Sequence, residues 1–276
     1  MIQWLKELLQ SQLTEGAGGA VPSQGRTAMT QHLSGDASAA GPDSSPPARV
    51  RARQGETLAK QLALVIDLNV CVGCQACVTS CKQWNTSGSA GPLADLNAYG
   101  ANPTGTFFNR VQTYEAGEFP ATDTIHFPKS CLHCEDPPCV PVCPTGASYK
   151  RAEDGIVQVD YDKCIGCKYR AWACPYGARE LDEERQVMTK CTLCVDRVYD
   201  PLLPEADRQP ACVQACPTNA RLFGDIKDPD SVVSKAIAER GGYQLMPEWD
   251  TQPANHYLPR RITAAASSPT LPTGKE

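Results

Sequence analysis

Four short runs of strand character stand along this chain, and each leads into a cluster of cysteines. The first, Leu62-Ala-Leu-Val-Ile-Asp67, is unbroken apolar and rich in residues that favour strands. Thr124-Ile-His-Phe127 precedes Cys131, Gly155-Ile-Val-Gln-Val159 precedes Cys164, and Arg185-Gln-Val-Met188 precedes Cys191. Recurrence at this scale predicts a repeated supersecondary unit. Helical spacing occurs twice. Ile2, Leu5, Leu9 with Trp4 and Leu8 outline a short amphipathic helix over 2–13, which is marginal in isolation and reads as a frayed extension. Val232, Val233, Ala236 and Ile237 outline a C-terminal helix, with Asp228 as N-cap, Pro229 at its first position and Gly241-Gly242 as its stop.

Between these elements the pattern breaks down. Residues 14–54 hold almost no large apolar side chain and read as a disordered arm, as does the tail from about Ala264. The insertion 82–130 is rich in Gly, Asn, Pro and aromatics (Trp84, Tyr99, Phe107, Phe108, Tyr114) and predicts a folded but irregular lobe whose aromatics pack its own core. Pro201, Pro204 and Pro210 make the stretch between Cys194 and Cys212 an ordered loop. The stretch 243–261, with Met246-Pro-Glu-Trp249 and His256-Tyr-Leu-Pro259, reads as an extended surface strap. The expected fold class is α+β, with two pseudo-repeats built on the cysteine clusters. Its divisions are an arm at 1–60, a double-repeat domain carrying those clusters at 61–225, a helix and strap at 226–263, and a tail at 264–276.

Composition narrows the function. A net charge of -5 argues against a nucleic-acid partner. No apolar stretch approaches the roughly 20 residues that a membrane helix needs, so any membrane link runs through a partner. The apolar residues near the N-terminus are interrupted by Gln3, Lys6, Glu7 and Gln10, unlike a secretory signal, and Arg260-Arg261 lies at the wrong end for twin-arginine export. The chain reads as cytoplasmic. All 15 cysteines fall between Cys71 and Cys216, an odd number that cannot be fully paired within one chain; thiolate ligation of metal in a reducing compartment is the better explanation.

The cysteines form four groups: Cys71-x2-Cys74-x2-Cys77-x3-Cys81, Cys131-x2-Cys134-x4-Cys139-x3-Cys143-Pro, Cys164-x2-Cys167-x6-Cys174-Pro and Cys191-x2-Cys194-x17-Cys212-x3-Cys216-Pro. Three close thiolates suit a loop wrapped around a cubane, while the displaced fourth ligates the neighbouring cluster. Tetrahedral zinc needs neither the third close cysteine nor the trailing proline. Pairing group two with three and one with four predicts ligand sets Cys71, Cys74, Cys77, Cys216; Cys81, Cys191, Cys194, Cys212; and Cys131, Cys134, Cys139, Cys174. The fourth set has Cys143, Cys164 and Cys167, and Arg170 stands where its last cysteine belongs. A guanidinium has no lone pair for iron. That set therefore holds a three-iron cluster or an open four-iron one, and without other catalytic groups the three-iron, electron-transfer form is favoured. Arg170 is expected to raise its potential, because a cation stabilises the more negative reduced form.

His133, between two ligand cysteines, is expected to hydrogen-bond near the cluster or lie exposed, because its group already has its cysteines. His32, His126 and His256 read as structural or exposed. Lys82, Lys129, Lys163, Lys168 and Lys190 flank the groups and either offset thiolate charge or belong to ordinary surface. Nothing supports nucleotide or acyl chemistry.

The four ferredoxin-type groups in this order, with Cys-Leu-His-Cys-Glu-Asp-Pro-Pro-Cys (131–139) and Cys-Pro-Tyr-Gly-Ala-Arg (174–179), resemble the iron-sulfur subunits of molybdopterin oxidoreductases, among them the dimethyl sulfoxide, polysulfide and nitrate reductases. Asn69-Val-Cys-Val-Gly-Cys74, Trp84-Asn-Thr-Ser-Gly-Ser89 and Met246-Pro-Glu-Trp249 resemble most the iron-sulfur chain of quinone-linked, cytoplasmic sulfite dehydrogenases. The resemblance covers about 60–262. It implies a non-catalytic subunit placed between a molybdopterin catalytic chain and an integral-membrane quinone-binding subunit, with four clusters as a wire. It also implies that groups one and four lie toward the molybdenum chain and the Cys164–Cys167 cluster toward the quinone. Three [4Fe-4S] clusters and one [3Fe-4S] cluster follow. A free multi-cluster ferredoxin and a zinc-bound interaction module are the competing readings, and the insertion and strap weigh against the former.

Overall fold

The computed structural model describes residues 58–86, 105–116 and 122–260. The N-terminal helix, the arm, Tyr99 with the middle of the insertion, and the tail lie outside the described residues.

The apolar run predicted first is strand β1 (Leu62–Asp67), buried at every position. Its two faces explain why it lacks alternation, since a strand covered on both sides reads as continuous apolar sequence. Leu62 and Leu64 pack with Cys77, Cys81, Leu193 and Cys212, and Ile66 packs with Leu132, Cys134 and Tyr257. Val65, on the opposite face, meets Val233 and Leu258.

The next elements are α1 (Ala76–Asn85), the strands β2 (Asn109–Ala116) and β3 (Asp123–Ser130), and the short strands β4 (Ser148–Lys150) and β5 (Val157–Val159). After these come α2 (Tyr169–Trp172), β6 (Glu180–Asp182), β7 (Val187–Thr189), α3 (Val195–Val198), α4 (Ala211–Gln214), β8 (Arg221–Asp225), α5 (Val232–Arg240) and β9 (His256–Leu258). The strands form antiparallel pairs β2-β3, β4-β5 and β6-β7 and a three-stranded sheet in the order β8-β1-β9. Each pair carries the chain out of one cysteine group and into the next. β4-β5 joins the second group to the third, β6-β7 the third to the fourth, and β8 with β1 returns from the fourth to the first. All four strand-like runs of the sequence are the entry strands of this cycle.

Four expectations need correction. The insertion is not irregular throughout: β2 and β3 form one long hairpin, paired from Asn109↔Ser130 to Ala116↔Asp123. Phe107 and Phe108 pack into the main core rather than a separate one. The C-terminal helix begins at Val232 with Ser231 as its N-cap, whose Oγ accepts from the Ser234 N–H; Asp228 instead accepts from the Asp230 N–H in the turn before it. Such a cap contributes about 1 kcal/mol. Gly241 ends the helix at φ 64°, as expected.

The strap, finally, is more than surface. β9 runs parallel to β1, and Tyr257 and Leu258 are wholly buried. Asn255, also fully buried, accepts from the Leu64 N–H and donates to the Cys131 carbonyl, which ties β1 to the second cysteine group. Ala254 N–H to Leu132 O and Glu135 N–H to Gln252 O continue that clamp. Between Cys194 and Cys212, α3 and a 3-10 turn at Glu205–Asp207 order the predicted loop.

Candidate metal centres

Each cysteine group opens on the same backbone shape. The residue before the second cysteine is left-handed in all four: Gly73 (φ 66°), His133 (φ 49°), Gly166 (φ 67°) and Leu193 (φ 53°). This conformation curls the Cys-x-x-Cys loop. At Gly73 glycine is required twice over, because a Cβ would also lie 2.4 Å from the His126 ring. A second shape repeats after each Cys-Pro. The third residue beyond the cysteine is again left-handed (Gly146, Gly177, Asn219), and its N–H donates to that cysteine's carbonyl. Two residues later the next strand starts or is about to start, and that residue's side chain or backbone turns back toward sulfur.

The thiols surround voids. Cys71, Cys74, Cys77 and Cys216 line one of about 320 Å³ with Arg221 in its wall. Cys131, Cys134, Cys139 and Cys174 line another of about 310 Å³, walled by Arg179. Cys81, Cys191, Cys194 and Cys212 are all buried. Burial, then the charges of Cys191, Cys212 and Cys194, push the Cys81 thiol well up, so these four stand together. The Asn85 amide donates to both Cys81 Sγ (3.6 Å) and Cys194 Sγ (3.4 Å). Burial takes Cys134 and Cys191 up to about 12 and Cys212 to about 11. Thiols this dry give up their protons to a metal rather than to water.

The remaining three cysteines are half-buried. Arg170 Nη2 donates to Cys164 Sγ at 2.7 Å. Burial opposes the Cys143 thiolate, but donors from Ser148 and Thr145 and the Arg170 charge outweigh it, and its pKa falls. Arg170 is thereby joined to Cys143 and Cys164, while Cys167 closes the Cys164-Ile-Gly-Cys167 loop. Among the described residues no three His, Cys, Asp or Glu side chains converge as they would on a single ion.

Buried cations attend these sets. Arg170 is 1% exposed, with Nε and Nη1 unpartnered. Arg179 Nη2 donates to Cys139 Sγ at 2.5 Å and leaves Nη1 unpartnered. Arg221 Nη1 reaches Cys212 Sγ at 3.7 Å and leaves Nε unpartnered. Of the flanking lysines, Lys190 is buried; burial lowers its pKa while the Cys131 and Cys191 thiols raise it. Lys82 donates to the Thr106 carbonyl and Lys163 pairs with Asp160. His133 is fully buried: Nδ1 accepts from the Val157 N–H, and burial, Lys190 and Arg179 hold the ring neutral. Arg179 and Arg221 escaped the sequence reading of the cysteines. Their signal was available, because Cys174-Pro-Tyr-Gly-Ala-Arg179 and Cys216-Pro-Thr-Asn-Ala-Arg221 repeat the same spacing.

Thiol-walled voids facing buried, unpartnered N–H donors fit iron-sulfur clusters, whose sulfurs accept hydrogen bonds and whose charge is negative. The comparisons with known proteins agree. The 4Fe-4S dicluster domain family matches at residues 122–226 and again at 70–148. The chain is 77% identical to a sulfite dehydrogenase subunit of Allochromatium vinosum over 203 residues, 74% of this chain and 85% of the relative. It is 40% identical to a tetrathionate reductase subunit of Salmonella typhimurium over 201 residues, 71% of each. It is 34% identical to a selenate reductase subunit of Mesobacillus selenatarsenatis over 231 residues, 72% of each. At these identities and coverages, with all four cysteine groups present, the chain belongs to the family of non-catalytic iron-sulfur electron-transfer subunits of molybdopterin oxidoreductases and carries several iron-sulfur clusters.

Proposed function

We propose that this chain conducts electrons from a molybdopterin catalytic subunit to an integral-membrane quinone-reactive subunit in a complex that oxidises sulfite, peripheral on the cytoplasmic face of the inner membrane. The observation that carries the reading is the four cysteine groups, two of whose predicted sets line voids walled by a buried arginine, in a chain 77% identical to a sulfite dehydrogenase subunit. Iron-sulfur clusters supply one-electron chemistry without proton transfer or bond making to substrate.

The chain's own residues do the rest. The ligand sets are Cys71, Cys74, Cys77 and Cys216; Cys81, Cys191, Cys194 and Cys212; and Cys131, Cys134, Cys139 and Cys174, each for a [4Fe-4S] cluster. Cys143, Cys164 and Cys167 hold a [3Fe-4S] cluster, because Arg170 offers a proton donor and a positive charge where a thiolate would stand. Groups two with three and one with four form two ferredoxin-like pseudo-repeats. The order of the wire is supported by side chains felt by two sets at once. Arg221 acts on Cys212 and on Cys77, and Lys190 on Cys131 and Cys191. The outer set is ringed by exposed apolar side chains, Val142, Ile165, Tyr169 and Trp172, which suit an apolar partner at the quinone end.

Redox titration of anaerobically prepared protein, read by low-temperature electron paramagnetic resonance, tests the cluster content, with one three-iron signal expected in the oxidised state. Membranes containing the complex are expected to reduce quinone with sulfite, and to lose that activity without this chain. Absence of any iron-sulfur signal sinks the whole reading. Quinone-linked turnover with tetrathionate or selenate but not sulfite supports the second reading, a reductase-type complex, which the 40% and 34% relatives favour.

A further inference from the structure

Of the buried cations, Arg221 alone stands in the wall of one thiol-lined void while touching a cysteine of the next. It is the first residue of β8, fixed opposite Ile66 of β1, and only 2% exposed. It lines the void of Cys71, Cys74, Cys77 and Cys216. Its Nη1 reaches Cys212 of the second set, its Nη2 donates to Asn109 Oδ1 at 2.7 Å, and its Nε has no partner. No carboxylate pairs with it among the described residues, so its compensating charge is sulfur on both sides. By contrast, Arg179 donates to Cys139 of the third set and Arg170 to Cys164 of the fourth.

We infer that Arg221 is a shared potential-setting residue for the first two clusters, raising the potential of both so that an electron on either is stabilised by the same buried charge. The inference rests on the proposed ligand sets. An electron entering either cluster would make it more negative by one unit with no proton needed; the fixed cation, in the wall of the first void and in contact with Cys212, would favour both reduced forms. It thus raises both potentials without widening the step between the two clusters. A buried cation serving one cluster would instead open a gap.

The test is a redox titration of the full-length protein in its complex, read by electron paramagnetic resonance, comparing wild type with Arg221→Gln and Arg221→Lys. Cys71→Ser and Cys191→Ser assign the signals of the first and second clusters. Arg221→Gln is expected to shift the reduction equilibrium of both at least tenfold toward the oxidised form, a fall of 59 mV for a one-electron couple. Arg221→Lys is expected to hold both near wild type, and the other two clusters are expected to stay put in either variant. The inference is overturned if Arg221→Gln moves neither cluster, moves one alone, or moves all four alike. Should Arg221→Gln fail to assemble, Arg221→Lys decides, since a tenfold fall in either cluster with the charge retained would exclude the mechanism. A wild type without iron-sulfur signals would overturn the proposed function instead.

Discussion

The second and fourth cysteine sets solve the same problem in opposite surroundings. Cys81, Cys191, Cys194 and Cys212 come from three separate stretches of chain, and all are buried under α1, α4 and the Leu193 side chain. Cys143, Cys164 and Cys167 are half-buried at an edge where Ile165 is 65% and Trp172 79% exposed. The inner set keeps four thiols, with the neutral Asn85 amide and the Arg221 guanidinium as donors beside them. The outer set has three, and a guanidinium in the fourth place. Exchanging a thiolate for a guanidinium changes local charge by two units, and because Arg170 is itself buried, that charge is met by the Cys164 and Cys143 sulfurs rather than by water. The departure from the four-cysteine pattern thus stands where neighbouring sulfurs offset the guanidinium charge.

Removing a ligand from the inner set gives the largest expected effect. Cys191→Ser is predicted to lose one cluster's iron by metal analysis, abolish sulfite-driven electron flow, and lower the urea midpoint, because cluster binding free energy is folding free energy for a site no unfolded chain possesses. If Cys167→Ser at the edge destabilises the fold as much, the contrast between the sets fails. Next comes Arg170→Cys. This change completes the outer set, so the oxidised three-iron signal is expected to vanish in favour of a reduced four-iron one, with its potential lower by at least 59 mV, a tenfold shift. A spectrum unchanged by the substitution breaks the assignment of Arg170 to that corner.

How much of this was legible in the sequence depends on range. The entry strands could be read because each is a local run of apolar or β-branched residues, and β1 most clearly because both its faces are covered. The four cysteine groups could be read because the spacing within each is local. β9 could not: three residues before Pro259 carry no periodicity, and the strand exists because β1 offers it an edge far away in the chain. The same limit hid the role of Asn255, whose two hydrogen bonds go to Leu64 and Cys131. Asp228 looked like a cap because it precedes Pro229, but Ser231 outcompeted it once the β8 carbonyl at Asp225 accepted the Ser231 hydroxyl. Arg179 and Arg221 were recoverable from their repeated offset after Cys-Pro, yet an arginine outside a thiol's immediate neighbours draws no notice until the turn folds it back.

A smaller change probes the inner set without removing a ligand. Asn85→Ala deletes the amide that donates to Cys81 and Cys194, and with it the hydrogen bond from the Thr192 hydroxyl. A hydrogen bond of this kind contributes about 1 kcal/mol. The second cluster's potential is expected to fall by less than the 59 mV of a tenfold shift, with the outer cluster unmoved. The same titration checks both. A fall larger than that produced by Arg170→Cys would mean that neutral donors, not charge, dominate the tuning.

The smallest effect on the fold is expected at Trp172. Its ring is 79% exposed and meets Tyr169 at 5.7 Å, so truncation removes little buried area. Trp172→Ala is predicted to change unfolding free energy by less than about 0.5 kcal/mol, as for other surface sites, with urea midpoints as the measure. Its cluster signals should match wild type. Yet the side chain stands on α2, two residues from Arg170, beside the set proposed to face the quinone subunit. If that edge is the docking surface, the purified variant keeps its stability and spectrum but is retained less on membranes carrying the partner, since exposed aromatic anchors hold a large share of interface energy. Undiminished retention would move the docking surface elsewhere and leave the outer set's exposure without a partner to explain it. Loss of stability instead of retention would mean that Trp172 belongs to the fold, and that the outer set is less exposed than its surroundings indicate.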